Sequence, residues 1–485
     1  MIIEMNNIIH KAALLALALI MAVTSAFALD LPVKKVKGKE YYVYKVRKGE
    51  SVYGVSKHLG LSREQIVQYN PQAADGLKKN MMLYFPLEDF GPVAESEISA
   101  VDTLEAEAPE KIVPAATSSI AVMLPFGLDK SEPSKLNNLC LDFYKGFLIG
   151  VDTLCNRTGR LIEIRAYDTE ESDNRVRQLL DTDTFIARAS VIIAPDASES
   201  LAAIASAASD RGNYVLNLFN IRDTLQTVNP YVIQANTPQQ TMYSLAERAL
   251  ATQFEGYTPV ILRNVSGRNE KEAFTAYVTT CCRERGVEPV VIEYDGSLRA
   301  AELNALPVDM GQKYVVIPSS GTLAEFNKMA YVVHNWRDRV RAAASENAGL
   351  ESASAVEVFG YPDWTAFRGE ALDLLHRLDA TVYSRFLDNF TGFQAMGVAQ
   401  AFKRWYGSAM IESVPTQALL GFDAACCVIR NLRANDGVFD PLYPADYNGV
   451  QSSFRFSRDG DGGFVNSSLY IIRFASSGNQ IATVL

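Results

Sequence analysis

The sequence predicts an α/β protein in two parts, a small βααβ module followed by a two-lobed domain built on parallel sheets. Three observations carry this. A basic stretch of under about fifty residues near the N-terminus shows strand, helix, helix and strand periods in turn; an acidic stretch poor in large apolar residues follows it; and short apolar strands then alternate with amphipathic helices almost to the C-terminus. Near-continuous apolar strands separated by helices imply a parallel sheet covered on both faces.

The first element is a leader. Met1 to Lys11 is followed by Ala12 to Val23, almost without a polar residue, and then by Thr24-Ser25-Ala26-Phe27-Ala28. This is the order of a secretory signal peptide over residues 1–28, cleaved after Ala28. Its apolar run is about twelve residues where a bilayer-spanning helix needs roughly twenty, so no transmembrane anchor is expected after cleavage. The expected location is the periplasm or cell envelope of a bacterium.

Charge marks the boundaries. From Lys34 to Lys79 there are eleven Lys or Arg against four Asp or Glu, whereas Glu88 to Glu110 holds eight acids and no base. The second stretch and the residue after it, EDFGPVAESEISAVDTLEAEAPEK, cannot bury enough surface to offset their chain entropy, and the acids repel one another, so residues 88–116 are expected to form an extended linker. A net charge of -10 argues against a nucleic-acid partner. The six cysteines include no C-x-x-C pair, and fifteen helical residues at about 1.5 Å each hold Cys140 and Cys155 roughly 22 Å apart, too far for a disulfide. They are expected to be small buried apolar groups, with a bridge between different elements as the alternative.

In the module, Tyr41 to Val46 alternates as a strand does. Gly49 permits a tight turn, and Ser51 caps a helix whose apolar face is Val52, Val55 and Leu59. Ser62-Arg63-Glu64-Gln65 has the spacing of a capping box, opening a second helix with Ile66, Val67 and Tyr69 inward. Asn70-Pro71 stops it, Asp75-Gly76 turns the chain, and Met82 to Phe85 is a strand closed by Pro86. This order, with Tyr44-x-Val46-x-x-Gly49-Glu50-Ser51 at its start and Asn70-Pro71 in its middle, resembles the LysM family over residues 41–87. It departs at Tyr69, where an aliphatic is usual, and at Asn80, where Gly is usual; Asn tolerates the left-handed backbone. The resemblance implies binding of N-acetylglucosamine glycans, peptidoglycan above all, by Gly49, Glu50, Ser51 and Val52 on one side of a groove and Gly76, Leu77 and Lys78 on the other. Ser51 and Val52 serve equally as cap and core.

In the large region, strands are expected at 120–124, 161–166, 191–194, 215–218, 259–262, 290–292, 313–317 and 356–359, with helices between. IAVMLPFGLD, the helix LCLDFYKGFLIGVDTL and VIIAPDASESLAAIASAASDRGNYVLNLFN resemble the first lobe of type I periplasmic binding proteins, of the Leu/Ile/Val-binding kind. TPVILRNVSGRNEKEAFTAYVTTCCRERG resembles the opening of the second lobe, and the stretch from Ser384 through Pro415 and Gly421-Phe422-Asp423-Ala424 resembles the return to the first. The resemblance implies a domain over residues 117–485, with a first lobe of about 117–236 and 385–437 and a second of about 237–384 and 438–485.

Ligands of such folds sit at the carboxyl ends of strands, where helix N-termini present free N–H groups. The matching positions are Pro125 and Phe126, Asp196 and Ser198, Asn220, Ser266, Ser319 and Ser320, and Asp363 with Trp364. A carboxylate at Asp196 disfavours an amino-acid ligand, Asp196 and Asp363 also suit caps, and Trp364 suits either sugar stacking or the core. His58, His334 and His376 form no metal-binding spacing, and there is no G-x-S-x-G elbow or Walker loop. No cofactor is expected.

The function these features imply is a non-catalytic, wall-bound binding protein whose large domain takes a small ligand or an envelope protein partner. The alternatives are a wall-tethered solute receptor of an ABC-type transport system and a peptidoglycan hydrolase using a carboxylate pair.

Overall fold

The computed structural model describes residues 33–36, 39–46, 55, 66–67, 69–73, 76–86, 118–158, 160–307, 311–346, 355–387, 393–433, 438–443, 446–478 and 480–485. The expected leader, residues 1–28, and the expected linker, residues 88–116, lie outside them. The chain divides into two compact units, residues 1–113 with 389–409, and residues 114–388 with 410–485.

In the first unit, β1 (Val33–Val36), β2 (Lys39–Lys45) and β3 (Met82–Pro86) form an antiparallel sheet in that order. β2 and β3 are the two expected strands; β1 is additional, because Val-Lys-Lys-Val is too short to display a period. Val55, Ile66, Val67 and Tyr69 lie in helical backbone, and Tyr44, Val46, Val55, Ile66, Ala73, Leu83 and Phe85 close the core. Asn70 is buried and acts as a piece of strand: its Oδ1 accepts from the Tyr84 N–H at 2.7 Å and its Nδ2 donates to the Tyr84 carbonyl at 3.1 Å. Asn80 takes φ 67°, the left-handed conformation expected of it. The helix Phe393–Tyr406 groups with this unit, although the sequence placed it in the first lobe; an amphipathic period fixes a helix but not the core it faces.

The second unit holds two sheets. The first is laid down by β4 (Ser118–Leu124), α1 (Lys135–Thr158), β5 (Ile162–Asp168), α2 (Asp173–Thr182), β6 (Val191–Ile193), α3 (Ser198–Arg211), β7 (Tyr214–Asn217) and β8 (Val232–Gln234). Its strands run parallel in the order β5-β4-β6-β7-β8. The second sheet follows with α4 (Gln239–Gln253), β9 (Thr258–Asn264), α5 (Glu272–Glu284), β10 (Val290–Tyr294), β11 (Lys313–Pro318), α6 (Leu323–Glu346), β12 (Ala355–Gly360), α7 (Glu370–Leu378) and β13 (Thr381–Ser384). It repeats the order as β10-β9-β11-β12-β13, again parallel. Successive residues of β11 face opposite cores: Tyr314 and Val316 pack with α6 and α7, Val315 and Ile317 with α4 and α5. This double burial is why these strands read as unbroken apolar runs.

The chain returns through α8 (Gln417–Arg430) to β14 (Asp446–Asn448), β15 (Ser453–Arg458) and β16 (Phe464–Asn466), then β17 (Tyr470–Phe474) and β18 (Gln480–Val484). β16 adds in parallel to β8, with β15 and β14 antiparallel beyond it, while β17 and β18 extend the second sheet from β13. The expected passage into the second lobe at residue 438 is therefore corrected, since it occurs only between Asn466 and Tyr470. Short alternating edge strands do not encode which sheet they extend.

Two helices clamp the first sheet's lobe. α1 and α8 approach so closely that a Cβ on Gly146 would lie 1.8 Å from the Ala418 carbonyl oxygen, and one on Gly421 would lie 2.0 Å from that of Phe143. α8 also carries Asp423, fully buried, whose carboxylate accepts from the N–H groups of Val450, Gln451 and Ser452 at 2.7–2.8 Å and from the Tyr447 hydroxyl at 3.1 Å. Burial pushes its pKa up to about 6 despite these donors. Gly421→Ala is expected to lower unfolding stability by about 1–3 kcal/mol in urea titration, because the backbones must separate; an unchanged midpoint would show that the helices part freely.

Candidate functional site

The two sheets share one strand order, and in such sheets the order reverses at a switch point where strand ends splay apart. In the first sheet this lies between β4 and β6, and it opens a cavity of about 580 Å³. Its wall is made by the carboxyl ends of five strands: Leu124 and Pro125 after β4, Thr169, Glu171 and Ser172 after β5, Pro195, Asp196 and Ala197 after β6, Leu218, Phe219 and Ile221 after β7, and Asn236 after β8. Leu136, Leu139 and Cys140 of α1 close one side, and Arg385, Phe386, Pro415, Gln417 and Leu420 another. Burial pushes the Cys140 thiol up to about 12, so it serves as apolar wall and not as a nucleophile. All six cysteines are free.

The rim after β5 is under backbone strain. Glu170 and Glu171 both take φ 54° in a turn closed by the Ser172 N–H on the Thr169 carbonyl at 2.9 Å. A left-handed non-glycine residue costs roughly 1–2 kcal/mol. The surroundings hold it there: Lys130 pairs with the Glu171 carboxylate, and Asn137 donates to it at 3.1 Å. Beside it, Asp168 accepts from the N–H groups of Phe126 at 2.9 Å, Leu128 at 2.7 Å and Glu170 at 3.0 Å. The free N–H groups that the turn after β4 would have offered a ligand are thus taken by the chain itself.

The second switch point, between β9 and β11, is closed in the same way. Glu270 accepts from the Ser320 hydroxyl at 2.9 Å and from the Gly321 N–H at 2.7 Å, and Lys271 pairs with Asp363 at 2.7 Å. Ser319 and Ser320 are both buried.

Of the residues singled out from sequence, Pro125 and Asp196 line the first-lobe cavity. Asp196 is exposed at the rim and caps no helix; the N-cap of α3 is Ala197, without a side-chain bond. Phe126 is buried against Tyr144. Asn220 is a staple: it donates to the Asp196 carbonyl and the Ser198 hydroxyl, each at 2.8 Å, and accepts from the N–H groups of Arg222 and Asp223. Ser266 bonds Asn264 and Gly296. Of the two roles open to Trp364, the core is the one it takes, not that of a cleft ligand: it is wholly buried beside Phe326, its ring centroid 4.9 Å away. In the first unit, Gly76 takes φ 100°, Leu77 packs on the core and Lys78 is exposed; Gly49, Glu50, Ser51 and Val52 lie outside the described residues. Asp168, Glu171, Glu270 and Arg385 went unnoticed in the sequence, where each is one acid or base among many.

No protein-family model matches the sequence, and no curated protein does. Among solved structures, a protein of Rhodospirillum rubrum assigned to branched-chain amino acid ABC transport is similar at a TM-score of 0.51 and 15% identity, over 76% of this chain and 100% of that one. A branched chain amino acid ABC transporter periplasmic ligand-binding protein of Burkholderia xenovorans has a TM-score of 0.42 at 11% identity, over 76% of this chain and 94% of that one. The large unit has the type I periplasmic-binding-protein fold. At this identity the likeness fixes the fold and leaves the ligand open. Among the described residues, no helix is long and apolar enough to cross a membrane.

Burial alone would raise the Asp168 carboxyl, but the N–H groups of Leu128, Glu170, Gly127 and Phe126 outweigh it and hold it below its usual range. A carboxyl that titrates lower in the folded chain gives stability that is complete above about pH 4 and lost as pH falls below it. Asp168→Asn is therefore expected to lower the melting temperature at pH 7, and its deficit against the wild type to shrink between pH 5 and pH 3. A deficit that stays constant over that range would contradict the carboxylate's role.

Proposed function

We propose that this chain is a solute receptor of the cell envelope, whose large unit holds one small molecule in the first-lobe cavity and whose N-terminal module retains it on peptidoglycan. The cavity carries the first part: it lies at a switch point, at the carboxyl ends of parallel strands, where ligands of doubly wound sheets bind, and its volume falls in the range of small-molecule sites. The similarity to a protein assigned to ABC transport supports the same reading. This puts first the solute receptor, which from sequence alone came second to a wall-bound protein taking a small ligand or an envelope protein partner. The hydrolase alternative has little support, because Lys130 and Asn137 hold Glu171 and leave Asp196 as the one unengaged carboxylate of the lining.

Wall binding rests on the LysM-like order of residues 41–87. It is supported by the tie of Asn70 to Tyr84, by the left-handed Asn80 and by the left-handed Gly76 beside Leu77. The signal-peptide pattern of residues 1–28 supports export.

Two assays separate the parts. In a thermal-shift screen of the full chain, a cavity ligand at a hundredfold its dissociation constant is expected to add about 2.7 kcal/mol; silence across muropeptides, amino acids, sugars and organic acids would defeat the receptor reading. In a pelleting assay the chain is expected to sediment with insoluble peptidoglycan and to lose this when residues 41–87 are deleted. Undiminished pelleting of the deletion would defeat the wall-binding module.

A further inference from the structure

Where the receptor reading holds, the ligand's chemistry can be narrowed from the wall of the cavity. Leu124, Leu139, Leu218, Phe219, Phe386 and Leu420 make most of it a surface without hydrogen-bonding side chains. Such a surface favours an apolar body by roughly 25 cal/mol for each Å² withdrawn from water. Several polar groups around it are spent: Asp168 holds N–H groups of the turn after β4, Asn236 donates to the Leu218 carbonyl, and the Ser200 hydroxyl donates to Asp173 at 2.5 Å, while the N-terminus of α3 behind Ala197 has no side-chain cap.

Arg385 differs. It stands where the chain leaves the second sheet after β13, and its Nε donates to the Thr237 carbonyl at 2.6 Å. That is its one bond to another residue: among the described residues no carboxylate pairs with it, and its two terminal nitrogens have no partner. The side chain is partly buried, and this loss of water lowers its pKa. A guanidinium removed from water without a counter-ion is costly, and an anion meeting its two free N–H edges relieves the cost through paired, charge-assisted bonds.

Two acids also line the cavity, and they limit the ligand's charge. Glu171 is neutralised by Lys130, but among the described residues the Asp196 carboxylate has no partner, and it lines the same space. A second anionic group on the ligand would find no second cation among the described residues of the lining. An α-ammonium group would sit within about 6 Å of the guanidinium that its own carboxylate engages, where like charges repel, and Asp196, exposed and hydrated at the rim, offsets little of this.

We infer that the cavity takes an apolar monocarboxylic acid without an α-amino group, its carboxylate seated on Arg385 and its hydrocarbon or aromatic body on the leucine and phenylalanine wall. The selectivity follows from one unpaired cation beside a mostly apolar wall, with the exposed Asp196 carboxylate at the rim.

Isothermal titration of the full chain with 3-phenylpropionate, octanoate, their primary amides and L-phenylalanine tests this. Both acids are expected to bind, and each amide at least about tenfold more weakly, because the neutral group loses the charge-assisted pair. In Arg385→Gln the acids are expected to fall to the level of the amides while amide binding is unchanged, which also shows that the variant's cavity is intact. Ile221→Trp, at a half-exposed position of the lining, is expected to weaken acid and amide together. Equal binding of acid and amide in the wild type, acid binding indifferent to Arg385→Gln, or L-phenylalanine binding as well as 3-phenylpropionate would overturn the ligand class, while sensitivity to Ile221→Trp would leave the receptor reading standing. Failure of both acids to bind would overturn the ligand class, and only failure of the wider thermal-shift screen as well would reach the receptor reading. Binding indifferent to Ile221→Trp would remove the ligand from the cavity and overturn both.

Discussion

A parallel sheet offers a ligand the unpaired N–H groups at the carboxyl ends of its strands, and in this protein the chain's own carboxylates take those of the turns after β4, β5 and β11. Asp168 gathers three such groups beside the first switch point, and Glu270 takes one, with the Ser320 hydroxyl, beside the second. A buried or half-buried N–H without a partner costs more than its hydrogen bond returns. Either a ligand or a side chain must therefore satisfy each one. Because side chains already do so after β4 and β11, the first-lobe cavity is left with shape, apolar surface, Arg385 as its one unpaired cation and the N-terminus of α3, which no side chain caps.

That cavity keeps its form because its walls belong to elements that cannot shift singly. The glycine contact between α1 and α8 brings two backbones within van der Waals range, so that the α1 residues Leu136, Leu139 and Cys140 and the α8 residue Leu420 move as one wall. Asp423 ties α8 to residues 450–452, and the Gln451 carbonyl accepts from the Leu387 N–H at 2.8 Å, two residues from Arg385. The three passages of the chain between the sheets are likewise bound to one another: Arg385 to the Thr237 carbonyl, the Thr237 hydroxyl to the Ser468 carbonyl at 2.7 Å, and the Asn466 amide to the Ala235 carbonyl at 2.8 Å. The position of the guanidinium is thus set by the same bonds that join the two sheets.

Most of the architecture was legible in the sequence because burial on both faces leaves a mark. β4, β6, β9 and β11 are runs of Val, Ile and Leu, and the expected strands and helices of the first 240 residues of the large region are found with boundaries shifted by a few residues. The C-terminal strands were not legible. β14 to β16 lie at a sheet edge, where a short alternating strand suits either sheet, and partner choice is a matter of space and not of local pattern. The candidate site was legible in outline only. Strand ends could be located, so Pro125 and Asp196 were found; yet whether a hydroxyl or an N–H is free depends on a partner forty or fifty residues away, as for Phe126 with Asp168 or Ser320 with Glu270. Trp364 stayed open between ligand and core for a related reason, since an aromatic after a strand end looks the same in sequence whether it faces solvent or the core.

The most direct test of the account is a crystal structure of the full chain with the tightest-binding compound of a ligand screen. The account predicts ligand density in the first-lobe cavity, between Leu124, Leu218 and Arg385, with Asp168 still holding the Phe126 and Leu128 N–H groups. Density at the second switch point, with Glu270 swung away and Ser320 and Gly321 bonded to the ligand, would contradict it.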